Sequence, residues 1–320
     1  MKKQFVKDLA IGNKVSDIFY IRSRKQFERR DGGKFLIVEL SDKTGVVQGK
    51  IWDYIVEFYS ESIPGNFAKV QGDVSEYNGE TQITISNIQK ISDKEISSKD
   101  FITSSKYDIE EMYKELAGYI DLIKDSDYRK LLNNFFSNPD FLHKFKTAPA
   151  STGIHHAYIG GLLEHTLFML RLSRSVPNVY PELDYSLLVT GLILHDIGKI
   201  REYLYEKAIA HTDEGYLIGH IVVGYEIVKA ELEKITDFPE QKKQLILHII
   251  LSHHGQRDFG SPITPKFAEA YLVHTLDNLD ARMMMFRDTS EKNQDVKWSE
   301  YHNFLETRVF IKNQPPTDSD

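Results

Sequence analysis

Histidine and aspartate recur through the second half of the chain in a fixed order: His165 in "GGLLEHTL", His195 and Asp196 in "LILHDIGK", His220 in "IGHIVVG", His253 and His254 in "LSHHG", and Asp277 in "VHTLDNLDAR". Each lies on or at the end of an otherwise apolar stretch. The separations are 30 residues from His165 to His195, 24 from Asp196 to His220, 33 from His220 to His253 and 23 from His254 to Asp277. One helix and one connection consume about that many, so the helices of a bundle can bring these side chains to one point. A single histidine on an apolar helix is ordinarily a core residue bonded to a carbonyl, and His143, His248 and His302 are read that way. A spaced set with two adjacent members is different, because every such group buried without a partner costs kilocalories. A shared divalent metal compensates them together. With no cysteine in the chain, thiolate ligands, disulfides and a cysteine nucleophile are excluded, and the donors are imidazole and carboxylate. That donor set suits manganese, iron, cobalt, nickel or zinc, and magnesium less, because magnesium prefers oxygen.

Positioning these groups requires helices, and from Asp108 onward the periodicity is helical. Asp108 followed by Glu111 resembles a capping box, with Met112, Leu116, Tyr119 and Ile123 on one face. Further helices are predicted at about 127–136, 139–145, 158–175, 184–198, 219–235, 239–252 and 265–287. The first 92 residues instead alternate with period two, in "KVSDIFYIRSR", "KFLIVELSD", "GVVQGKIWD", "NFAKVQGDVSEY" and "TQITISNIQKI". Five strands are enough for a small closed barrel. Asn78-Gly79 suits a type I′ hairpin between the last two, and "DGG" at 31–33 supplies another turn. The expected organisation is therefore an all-β domain at 1–92, a polar linker at 93–107, a helical domain at 108–312 and a disordered tail at 313–320.

Composition sets outer limits. A chain of 320 residues, 41% hydrophobic and 27% charged, can hold two cores. No apolar run approaches the roughly 20 residues that span a bilayer and no signal segment opens the chain, so a cytoplasmic protein without membrane contact is expected. The net charge of −7 argues against gripping nucleic acid over the whole surface, yet residues 1–50 carry 12 Lys and Arg against 6 Asp and Glu. The basic surface is concentrated at the amino-terminal end.

The ordered set His165, His195-Asp196, Asp277, with "HDIGK" at its centre, resembles the HD-domain metal-dependent phosphohydrolases, an all-helical fold. His220 and one of His253 and His254 match the extra histidines of two-metal members. The string "HHAYIGGLLEHTL" from His155, the "SHHG" segment and the preceding barrel together resemble YhaM-type 3′-to-5′ exoribonucleases over nearly the whole chain. That resemblance implies an OB-fold barrel for strand binding, manganese as the metal, trimming of single-stranded RNA and of DNA as a second candidate strand, and self-association of copies.

Hydrolysis of a phosphodiester needs a hydroxide near neutral pH and positive charge opposite the non-bridging oxygens. Two ions roughly 3.5 to 4 Å apart supply both. In this reading Asp196 bridges, His165, His195 and Asp277 complete one ion, and His220 with His253 or His254 holds the other. Lys199, about one turn beyond Asp196, is a candidate charge clamp on the phosphate. His155, His156, Asn278 and Arg282 are candidate substrate contacts in the helical part. Arg22, Lys34, Phe35, Lys50 and Trp52 are candidates in the barrel, where OB-folds stack bases on aromatics while cations track the backbone. Two other readings compete: a phosphohydrolase of nucleotides or cyclic dinucleotides, for which the barrel has no obvious use, and a single-strand-binding, replication-associated factor, which the complete ligand set disfavours.

Overall fold

Alternation of apolar residues on five strands builds the first part of the chain. The computed structural model describes residues 2–52, 56–92, 96–97, 100–152 and 156–312. The strands are β1 (Lys14–Glu28), β2 (Lys34–Asp42), β3 (Gly45–Ile51), β4 (Phe67–Tyr77) and β5 (Glu80–Ile91), with the short helix α1 (Val56–Glu61) between β3 and β4. They form a closed barrel in the order β1-β2-β3-β5-β4, in which only the β3 and β5 pairing is parallel. The long β1 makes closure possible. Its first half pairs with β4 and its second half with β2, and the register slips between Ile21 and Ser23, so the strand bends around the corner. Alternate residues then point inward: Phe19 and Ile21 of β1, Leu36, Val38 and Leu40 of β2, Val47 and Ile51 of β3, and Ile83 and Ile85 of β5 are all buried. Asn78 (φ 54°) and Gly79 (φ 81°) make the tight turn between β4 and β5, both in the left-handed region that a type I′ turn demands.

Helices build the second part: α2 (Ile109–Asp121), α3 (Ser126–Phe136), α4 (Pro139–Thr147), α5 (Gly161–Ser173), α6 (Val176–Val179), α7 (Tyr185–Leu194), α8 (Lys199–Glu202), α9 (Asp213–Leu217), α10 (His220–Glu233), α11 (Glu240–Ser252) and α12 (Ala268–Lys292). Asp108, Asp125 and Asn138 cap α2, α3 and α4 by accepting from two backbone N–H groups each. The central element is α7. Every residue from Leu187 to Leu194 is buried, and α2, α3, α5, α11 and α12 pack around it, which is why the segment is apolar on all sides.

Two short antiparallel pairs accompany the helices, β6 (Tyr203–Leu204) with β7 (Ala210–His211) between α8 and α9, and β8 (Trp298–His302) with β9 (Thr307–Phe310) after α12. The helical expectation had neither. His143 is also exposed rather than in a core. The chain divides into two compact units, one reaching to Thr103 and including 205–208, the other formed by Ser104–Leu204 and the chain from Ile209 onward. Among the described residues no helix is long and apolar enough to cross a membrane. The predicted tail at 313–320 lies outside the described residues, as does part of the predicted linker.

Candidate metal centre and nucleic-acid face

Helix ends bring together four of the five histidines that face one another. The last carbonyls of a helix have no intrahelical partner. At the end of α7 the His195 Nδ1–H donates to the Leu192 carbonyl at 2.9 Å, and at the end of α11 the His253 Nδ1–H donates to the Ile250 carbonyl at 2.8 Å. His254 donates from Nδ1 to the Phe259 carbonyl at 2.7 Å. His220 opens α10 with its Nδ1 3.2 Å from Glu202 Oε1, and His165, in the middle of α5, has its Nδ1 2.7 Å from Asp280 Oδ2. An acceptor on Nδ1 holds the proton there, so every one of the five rings turns Nε2 inward.

The inward atoms fall into two groups. His165, His195 and Asp277 present donor atoms within 4.8 Å of one another, and so do His220, His253 and His254. In the first, His165 Nε2 lies 3.3 Å from His195 Nε2 and 3.3 Å from Asp277 Oδ1. In the second, the Nε2 atoms of His220 and His254 are 3.3 Å apart. Asp196 stands between them. Its Oδ2 faces His195 at 3.3 Å and His165 at 3.7 Å, whereas its Oδ1 faces His220 and His253 at 3.5 Å each.

These residues fit a divalent cation. Asp196 Oδ1 and His253 Nε2 are buried with no hydrogen-bond partner, and orphaned polar atoms at this depth are costly. The Nε2 atoms of His220 and His254 meet lone pair to lone pair, an arrangement that a cation between them relieves. Electrostatics favours a cation at His253 and Asp196, while at His165 a cation must replace a proton. Burial drives the His253 pKa down to about 3, which leaves a neutral ligand at physiological pH. Burial also opposes charge on His165, but Asp277 and Asp280 outweigh it and hold its pKa up at about 10. Asp196 is held well below the ordinary carboxylate range against its burial, chiefly by Lys199 and then by His195.

The remaining candidates are distributed differently. Lys199 is buried, and its Nζ donates to Asp196 Oδ2 at 2.5 Å, a pairing within the site that the phosphate-clamp expectation did not include. His156 is 1% exposed and bonds Asp280 Oδ2 through Nε2 at 2.9 Å, so it backs the site from behind rather than lining a surface. Asn278 and Arg282 lie on the exposed face of α12 and bond each other at 3.1 Å. A helix turns by about 100° per residue, which carries them off the face of Asp277 and Asp280. His155 lies outside the described residues. Asp280, Glu202 and His274, whose Nδ1–H donates to the His253 carbonyl at 2.8 Å, escaped the sequence reading. For Asp280 a signal existed, because it sits one turn beyond Asp277 on the same helix face.

On the barrel, Phe35 stacks between Phe27 (ring centroids 5.4 Å apart, planes 24°) and Trp52 (5.3 Å, 28°). Register makes the column: Phe27 and Phe35 pair directly across β1 and β2, and Trp52 follows Ile51, the partner of Leu36. Trp52 is 40% exposed and Phe27 41%, so neither ring is core. Lys50 Nζ sits 3.9 Å from the centroid of Tyr77 and 5.4 Å from that of Trp52. Phe27 and Tyr77 were not predicted. Arg22 is the exposed extra residue of the β1 bulge, and Lys34 is exposed opposite Glu28.

The HD domain family profile matches residues 162–282, a span that contains both histidine groups, and dependence on a divalent metal follows from that fold. The OB-fold nucleic acid binding domain profile matches residues 20–91. The second OB-fold domain of replication protein A from Methanococcus maripaludis aligns with 28% of this chain and 94% of its own length, at 26% identity and a TM-score of 0.23. The 3′-5′ exoribonuclease YhaM of Bacillus subtilis is 33% identical over 304 residues, covering 94% of this chain and 96% of its own length. YhaM of Bacillus velezensis matches with the same identity and coverage. Matched at this identity over almost its full length, the chain belongs to the YhaM family of 3′-5′ exoribonucleases.

Proposed function

We propose that this protein is a cytoplasmic, manganese-dependent 3′-to-5′ exoribonuclease that takes single-stranded RNA on its barrel and hydrolyses the terminal phosphodiester in its helical domain, with single-stranded DNA as a second strand and assembly of copies as part of the same reading. The observation that carries it is the division of Asp196, with Oδ2 toward His165 and His195 and Oδ1 toward His220 and His253. A carboxylate split in this way is the natural bridge between two ions. His165, His195 and Asp277 would hold one ion and His220, His253 and His254 the other. When bound, such ions lower the pKa of water and place positive charge opposite a phosphate.

The chain's own residues do the rest. Backbone carbonyls and buried carboxylates fix the five rings, so little reorganisation remains when substrate arrives. Lys199 keeps Asp196 ionised. Its ammonium also supplies a positive charge beside the reacting phosphate. The rings exposed at the two ends of the stack suit bases, and the exposed Arg22 and Lys34 of the same barrel suit a phosphate backbone, with no need for sequence readout.

The test is to incubate the protein and manganese with 5′-labelled single-stranded RNA, alongside a His195→Ala, Asp196→Ala double variant. Stepwise shortening from the 3′ end, lost in the variant, is expected. Cleavage of mononucleotide phosphates alone would transfer the site to the nucleotide phosphohydrolase reading. Strand binding without metal-dependent turnover would refute an enzyme.

A further inference from the structure

Four of the five inward histidines are anchored by a backbone carbonyl or by Glu202, a residue of the short helix that follows the His195-Asp196 turn. His165 differs. It lies in mid-helix, where neighbouring carbonyls are used up by the helix itself, and its anchor is a side chain three turns from either end of the longest helix. A side-chain anchor is only as firm as its own support. Asp280 Oδ2 accepts from His165 at 2.7 Å and also from His156 at 2.9 Å. His156 Nδ1 lies 2.9 Å from the Tyr158 hydroxyl, which donates to Glu164 Oε1 at 2.8 Å, while the Ser105 hydroxyl donates to Glu164 Oε2 at 2.5 Å. Asp280, His156 and Glu164 are all 5% exposed or less.

The backbone of His156 adds an independent observation. Its φ is +47°, a left-handed conformation that a histidine rarely adopts, and its carbonyl accepts from the Ala150 N–H at 3.1 Å. Strained backbone persists where the surroundings over-determine it, and here the strain turns the ring onto Asp280.

We infer that Asp280 is a positioning residue for the ion held by His165, His195 and Asp277, and that His156, Tyr158 and Glu164 hold Asp280 in place. The inference rests on the metal reading above. Because His220, His253 and His254 have their own anchors, the second group is independent of this network. Removing a carboxylate that orients a metal-bound histidine typically lowers metal affinity 10- to 100-fold. The loss here should fall on one ion of the pair.

Manganese alone is the probe, titrated into the full-length protein and followed by calorimetry and by its electron paramagnetic resonance signal. Asp280→Ala is expected to weaken one ion about 10- to 100-fold and leave the other unchanged. Asp280→Asn, which keeps an acceptor oxygen without the charge, should weaken the same ion by about tenfold or less. Glu202→Ala should weaken the other ion instead. If Asp280→Ala does not fold, Asp280→Asn decides: a loss confined to one ion supports the inference, and unchanged affinity for both overturns it. A wild-type protein that binds no divalent ion overturns the metal reading itself. Ion binding by the wild type with no effect of Asp280 overturns this inference alone.

Discussion

Gly198 lies so close to His220 that a Cβ at position 198 would overlap the His220 carbonyl oxygen and crowd the Gly224 N–H. The glycine of "HDIGK" is therefore what lets the turn carrying Asp196 meet the helix carrying His220. Gly198→Ala is expected to push the two apart by part of an ångström or more. Metal affinity and turnover should fall at least tenfold, a loss larger than the change in thermal stability would imply. Wild-type manganese affinity in a folded Gly198→Ala protein would refute this.

Removal of the metal should destabilise the helical domain and spare the barrel. Binding to the native state alone contributes about 2.7 kcal/mol at a ligand concentration of 100 Kd. For a unit of this size that corresponds to roughly 5–10 °C. Calorimetry with and without a chelator should show the transition of the helical domain moving by about this much, and Asp196→Ala should abolish the difference. A transition insensitive to chelator in the wild type is the contrary result.

Proton release should distinguish the two histidine groups. The pKa of His165 is held at about 10, above the 6.5 of a free side chain, so between about pH 7.5 and 9 an ion must displace a proton from the first group. Affinity there should rise by about tenfold per pH unit and level off near pH 10. His253, driven to about 3, has no proton to lose in this window. In the metal-free protein the sign is opposite: the raised His165 pKa contributes stability fully below pH 6.5, and that contribution is lost as pH rises through about 10. Calorimetry in buffers of different ionisation enthalpy measures the protons released. Equal release at both groups would contradict the assignment.

The ring column predicts the energetics of strand capture. Trp52→Ala and Phe35→Ala should each weaken single-stranded RNA binding by about 1–3 kcal/mol. Trp52 is 40% exposed, so its loss should leave the fold intact. Cleavage of a very short substrate should change little. Anisotropy titrations at two salt concentrations check this, and unchanged affinity in the double variant would move strand binding elsewhere.

What could be read from residues alone follows physical lines. Strand alternation and helix periodicity are strong over long segments, so the five strands and the helices that carry the facing histidines were legible, as was the order of those residues from His165 to Asp277. The pairs 203–204 with 210–211 and 298–302 with 307–310 are too short to leave a period of two. Asp280 and Glu202 were hidden for another reason. A carboxylate on a helix is ordinarily solvated, and only the tertiary structure shows that these two are 5% exposed and turned onto histidines. Phe27 and Tyr77 join Phe35 and Lys50 through strand register, which composition does not reveal.

The inward-facing groups are contributed by α5, the turn after α7, α10, the end of α11 and α12, spread over more than a hundred residues of chain. None of these segments carries more than a fraction of the cage. During synthesis, a growing chain that has not yet released Asp277 from the ribosome has its barrel and most of its histidines but lacks the closing carboxylate. On the proposed reading, such a chain would take hold of a strand before it could hydrolyse one.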